Sequence, residues 1–139
     1  MTGDDRRFHA LVVDDEAPIR RLIADALEAE GFTCELVGSA EVARELLVKR
    51  TFHAIVTDLM LSNRLGYGLA TDVLDRARRP VVVVVTGMTQ PGLAKDLLAR
   101  GVDDVLFKPL HFELLAAKVR RLVERRIEQL GAEVGAAAH

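Results

Sequence analysis

The chain has 139 residues, half of them apolar, with a formal net charge of −2 and a pI near 6.1. That length fits one domain with a full core, and the slightly acidic balance excludes a basic nucleic-acid footprint or a polybasic membrane patch. The single cysteine, Cys34, closes no intrachain disulfide, the N-terminus has no signal-peptide core, and no apolar run approaches the ~20 residues of a membrane span, so a soluble, cytoplasmic protein is expected.

Residues 1–7 are polar and are expected to form a flexible N-terminus. Residues 8–13 read as a first strand, ending in Asp14-Asp15. Pro18 suits a helix's first turn, and Ile19, Leu22, Ile23, Ala26 and Leu27 follow at helical spacing. Gly31 is a natural stop for that helix. Phe32 to Val37 is a second strand whose alternation suits a sheet edge. Ser39 is a candidate N-cap for a helix carrying Val42, Ala43, Leu46 and Leu47.

Ala54 to Val56 is a short apolar run ending in the acid Asp58. It reads as a strand buried on both faces. A loop through Ser62, Asn63, Arg64 and Gly66 precedes a third helix with Leu69, Val73, Leu74 and Ala77. Pro80 introduces Val81 to Val85, five β-branched residues that favour a doubly buried strand, and Thr86-Gly87 closes it. A fourth helix carries Leu93, Leu97 and Leu98 and stops near Gly101. The fifth strand, Val105 to Phe107, ends in Lys108-Pro109. The last helix is expected from about His111 to Leu130, with 131–139 a flexible tail.

Strand and helix thus alternate five times, which predicts an α/β fold with a parallel sheet between two helix layers. In such sheets ligands bind outside the carboxyl ends of the strands. Asp14, Asp15, Asp58, Thr86 and Lys108 all fall there. Three carboxylates crowded together repel one another unless a cation intervenes. Oxygen donors without histidine or cysteine favour magnesium, with manganese as the alternative. One carboxylate can then attack phosphorus and form an acyl phosphate. Asp58 is the candidate, with the Lys108 ammonium, the Thr86 hydroxyl and the Gly87 N–H facing the phosphoryl oxygens. Singly each residue is ordinary: an acidic pair caps helices, an acid sits in turns, and a lysine lies on surfaces.

Together they resemble the receiver domain of two-component response regulators, over residues 8 to 128. Asp14-Asp15 matches the family's acidic pair, Asp58 its phosphoacceptor, Thr86 its switch hydroxyl, Lys108-Pro109 its lysine and proline, and Gly66 a loop glycine. The resemblance implies a flavodoxin-like doubly wound (βα)5 three-layer sandwich with strand order 2-1-3-4-5, spanning 8–130 as a single receiver domain. It implies a magnesium ion on Asp15, Asp58 and the Met60 backbone carbonyl, with Asp14 acting through water. It implies a cis Lys108-Pro109 bond and a phosphohistidine donor on a sensor histidine kinase or phosphotransfer protein. A downstream protein target is expected and no nucleic acid or membrane. The protein would catalyse only its own phosphorylation and dephosphorylation, and could pair with a second copy through the face of the fourth helix, fifth strand and fifth helix. Besides a doubly wound enzyme, such as a flavin-binding or magnesium phosphatase domain, the rival reading is a receiver-like docking module without phosphotransfer. Val105 replaces the family's usual aromatic, which keeps that reading open. Ser62 replaces a family proline. Met60 and Met88 stand where side chains could orient an attacking water, which predicts slow loss of the phosphoryl group.

Overall fold

Val81 to Val85 are each buried to within 1% of complete, and their alternation decides the architecture. Val82 and Val84 pack with Leu11, Val13 and Ile55 on one side of a sheet. Val81, Val83 and Val85 pack with Ala10, Val12, Ala54 and Val56 on the other. A strand apolar on both faces needs cover on both faces, and the chain supplies it from its helices. The computed structural model describes residues 8–59, 66–76, 79–87 and 90–137. The elements are β1 (Phe8–Val13), α1 (Ala17–Ala29), β2 (Phe32–Val37), α2 (Ala40–Lys49), β3 (Ala54–Asp58), α3 (Gly66–Leu74), β4 (Val81–Thr86), α4 (Leu93–Ala99), β5 (Asp104–Phe107) and α5 (Phe112–Ala137).

All strand pairings are parallel, in the order β2-β1-β3-β4-β5. This is the flavodoxin-like order that the resemblance implied. Ala43 and Leu47 of α2, Leu69 and Val73 of α3 and Leu97 of α4 cover one face. Ile23 and Leu27 of α1 and Leu115, Val119 and Val123 of α5 cover the other. The expected edge strand β2 is indeed at one margin of the sheet, with only its end residues Phe32 and Val37 buried.

Local signals set the boundaries. Proline stands in the first turn of α1. Gly31 and Gly101, after α1 and α4, take φ of 95° and 111°, a region that suits glycine because it has no Cβ. The Ser39 hydroxyl accepts the Val42 N–H at 3.3 Å and caps α2. His111 Nδ1 accepts the Leu114 N–H at 3.4 Å at the start of α5.

Two expectations need adjustment. Helix α5 continues to Ala137 instead of ending at Leu130. Glycine costs about 1 kcal/mol against alanine in a helix, but Gly131 is flanked by the strong helix formers Glu128, Gln129, Leu130 and Ala132. Leu22, Val42 and Leu98, read at apolar helical spacing, are 46%, 44% and 46% exposed. Cys34 is partly buried, near the Ala24 carbonyl, and its burial pushes the thiol pKa up to about 12. Residues 1–7, Ala77 and 138–139 lie outside the described residues. Among the described residues no helix is long and apolar enough to cross a membrane.

At the end of the sheet where β1 and β3 begin, the His9 and His53 rings stack at 5.8 Å. The His9 N–H donates to His53 Nδ1 at 2.9 Å, so that nitrogen must carry no proton. Burial, reinforced by the neighbouring His9, lowers the His53 pKa from 6.5. The unfolded chain therefore binds more protons near that pH, and stability present above it is lost as pH falls. Urea unfolding should show this decline below pH 6.5. The variant His53→Asn, which keeps an acceptor but does not titrate, should flatten it.

Candidate functional site

The carboxyl ends of four strands converge because their register aligns them. Val13 lies beside Thr57, Asp58 beside Val85, and Thr86 beside Phe107. The residues that follow or end these strands, Asp14, Asp58, Thr86 and Lys108, are thereby brought to one rim. Asp14 and Thr86 are fully buried and Asp58 is 4% exposed. The Lys108 N–H donates to the Thr86 carbonyl at 2.9 Å, which ties the end of β5 to that of β4. The Lys108-Pro109 bond is cis, as expected.

The Lys108 ammonium is the meeting point. Its Nζ lies 2.8 Å from Asp58 Oδ2 and 3.3 Å from Asp14 Oδ2, with Glu16 Oε1 at 3.6 Å. Burial raises the Asp14 pKa above 3.8, and the Asp58 charge pushes the same way. The Glu16 N–H bond and the Lys108 charge pull it back without cancelling the rise. Burial alone would lower the Lys108 pKa. The hydrogen bond and charge of Asp58, with the charge of Asp14, outweigh burial and raise it. The ammonium thus stays charged between two sheltered carboxylates.

Carboxylate oxygens of Asp14, Asp15 and Glu16 come within 4.8 Å of one another, and Asp58 faces Asp14 across Lys108. An all-oxygen donor set of this kind fits a magnesium ion, and offers nothing that favours zinc. Of the residues picked out from the sequence, Asp14, Asp58 and Lys108 are in direct contact. Asp15 is exposed beside Asp14. Gly87 is exposed directly after the buried Thr86, and a Cβ there would meet nothing within 4 Å. Gly66 opens α3. Met60, Ser62 and Met88 lie outside the described residues. Val105 is buried.

Three participants were not picked out beforehand. Glu16 joins the acidic group, and its position next to Asp14-Asp15 was the available signal. The Thr57 hydroxyl, fully buried, donates to the Asp58 carbonyl at 3.1 Å. Arg20 reaches the Asp14 carbonyl at 2.6 Å from α1. Neither of the last two carries a pattern that a sequence would expose.

The family model described as response regulator receiver domain matches residues 10–120. The transcriptional regulatory protein SrrA of Staphylococcus aureus (strain NCTC 8325 / PS 47) is 29% identical over 115 residues, covering 83% of this chain and 47% of that protein. The chain spans about half the length of the curated relatives it matches. Among solved structures, the receiver domain of the Francisella response regulator 1452 superposes with a TM-score of 0.79 at 24% identity, over 86% of this chain and 98% of that one. A CheY-like receiver domain protein from Methanospirillum hungatei JF-1 superposes with a TM-score of 0.81 at 21% identity, over 88% and 98%. At these identities the structural likeness speaks for the fold.

Asp14 has a testable energetic signature. A buried acid whose pKa is raised makes the folded state bind the extra proton, so its ionisation opposes folding as pH rises above 3.8. In metal-free protein Asp14→Asn should raise the melting temperature by a few degrees at neutral pH, and the gain should vanish in acid. Calorimetric melts of both proteins across pH read this directly.

Proposed function

The chain belongs to the response regulator receiver domain family, and from that premise we propose that it is a phosphoacceptor switch of a two-component phosphorelay. The observation that carries this reading is the sheltered Asp58 carboxylate, 4% exposed and 2.8 Å from the Lys108 ammonium. One Asp58 oxygen attacks the phosphorus of a phosphohistidine on a histidine kinase or phosphotransfer protein. The new O–P bond forms as the donor's P–N bond breaks, and the electron pair leaves on the imidazole nitrogen. Little else is asked of the protein than positioning and charge.

Asp15, Asp58 and the Met60 carbonyl would hold a magnesium ion, with Asp14 acting through one of its waters. The ion supplies charge neutralisation for the acids and the phosphoryl oxygens. Lys108 faces the incoming oxygens with its positive charge. The Thr86 hydroxyl and Gly87 N–H donate hydrogen bonds to them. Arrival of a doubly charged group gives Lys108 a stronger partner than the carboxylates it bridges, and that competition biases the conformations of the rim. The output is a protein contact, with no nucleic acid or membrane addressed by this unit.

Incubation with acetyl phosphate and Mg2+ should add the mass of one phosphoryl group to the intact protein. Asp58→Asn should add none, and omission of Mg2+ should abolish the gain. With methionine at both Met60 and Met88, the phosphorylated form should persist for minutes or longer. Loss within seconds would contradict the slow-hydrolysis part of the reading, and labelling of the Asp58→Asn protein would contradict the whole.

A further inference from the structure

We propose that Arg20 and Gly38 form a positioning pair for the acidic centre, an inference that rests on the phosphoacceptor reading above. The Arg20 guanidinium donates to the Asp14 carbonyl at 2.6 Å. Among the described residues it pairs with no carboxylate, so its charge is directed at a main-chain oxygen. A charge-assisted bond of this kind is stronger than a neutral one. On the other side, the Asp14 N–H donates to the Val37 carbonyl at the end of β2, at 3.2 Å. The backbone of Asp14 is therefore held at both its N–H and its carbonyl. Its side chain then has little freedom: Oδ1 accepts the Glu16 N–H at 2.8 Å and Oδ2 accepts from Lys108 at 3.3 Å.

Gly38 explains how the guanidinium fits. It follows Val37 directly, and a Cβ built on it would lie 3.1 Å from Arg20 Nη1 and 3.9 Å from Cζ. Its φ lies outside the left-handed region, which Gly31, Gly92 and Gly101 occupy. Conformation therefore does not demand glycine at this position, whereas a side chain there would crowd Arg20 and require the guanidinium to give by a few tenths of an ångström. A methyl group here would press on the guanidinium end of a short bond. Arg20 is thus a positioning residue that acts through Asp14, and Gly38 is its counterpart. Groups that orient metal-binding carboxylates from behind typically alter affinity by about 10–100-fold when removed.

The test uses the full chain, metal-free, as wild type, Arg20→Ala, Gly38→Ala and the double variant. MgCl2 is titrated calorimetrically, and the Glu16 amide resonance is followed by NMR as a direct report on its bond to Asp14. Each single substitution should weaken Mg2+ binding about tenfold and shift the Glu16 amide. In the Arg20→Ala background, Gly38→Ala should add no further loss, because the group it displaces is already gone. Unchanged affinity and an unchanged Glu16 amide in the single variants would overturn the proposal. So would a Gly38→Ala loss of equal size in both backgrounds. If the wild type binds no Mg2+, the phosphoacceptor reading fails, and the Glu16 amide across the four proteins alone decides the role of Arg20. Should Arg20→Ala not fold, Arg20→Lys, which lacks the planar fork, takes its place with the same pattern expected.

Discussion

Two carboxylates, Asp14 and Asp58, are sheltered at one rim and share a single ammonium. Unit charges about 4 Å apart at an effective dielectric near 20 interact by about 4 kcal/mol. A domain's whole stability is about 5–15 kcal/mol. Two buried acids without a cation would therefore consume a large part of it. Lys108 offsets part of that cost in the metal-free protein, and it reaches both acids because β5 is tied to the end of β4 through the Thr86 carbonyl. The rest of the molecule can be read as what keeps that ammonium and those carboxylates in place.

The parallel sheet does most of this. Its register aligns the ends of β1, β3, β4 and β5, and its two apolar faces are sealed by helices on both sides. The carboxyl ends of the strands are where polar groups must leave the core, so chemistry collects there. Acids crowded in this way repel one another, and a cation placed among them relieves that repulsion. Residues kept for such a role commonly oppose stability. The raised pKa of Asp14 marks a buried group whose charged form the metal-free fold disfavours.

Much of this was legible in the chain. Five valines in a row announce a strand covered on both faces, and apolar runs that end in Asp14, Asp58, Thr86 and Lys108 announce the rim. The strand order came from the family resemblance and not from the residues themselves. The contacts of Lys108 were not legible, because they depend on where β5 closes against β4. Glu16 was hidden by its ordinary setting at the start of a helix. Arg20 was hidden because its partner is a main-chain oxygen, which leaves no complementary residue to find. The length of α5 was misjudged because Gly131 resembles a stop, while its neighbours are strong enough helix formers to carry the helix through it.

If Lys108 and a magnesium ion both serve to offset the two buried acids, removing one makes the other matter more. The most direct measurement is the unfolding free energy of Lys108→Met against wild type, with and without saturating Mg2+. Without the ion the variant should be less stable by about 3 kcal/mol or more, the usual cost of leaving a buried charge unpaired. With the ion it should recover more stability than the wild type gains. Equal stability of the two metal-free proteins, or an equal gain from Mg2+ in both, would contradict the account.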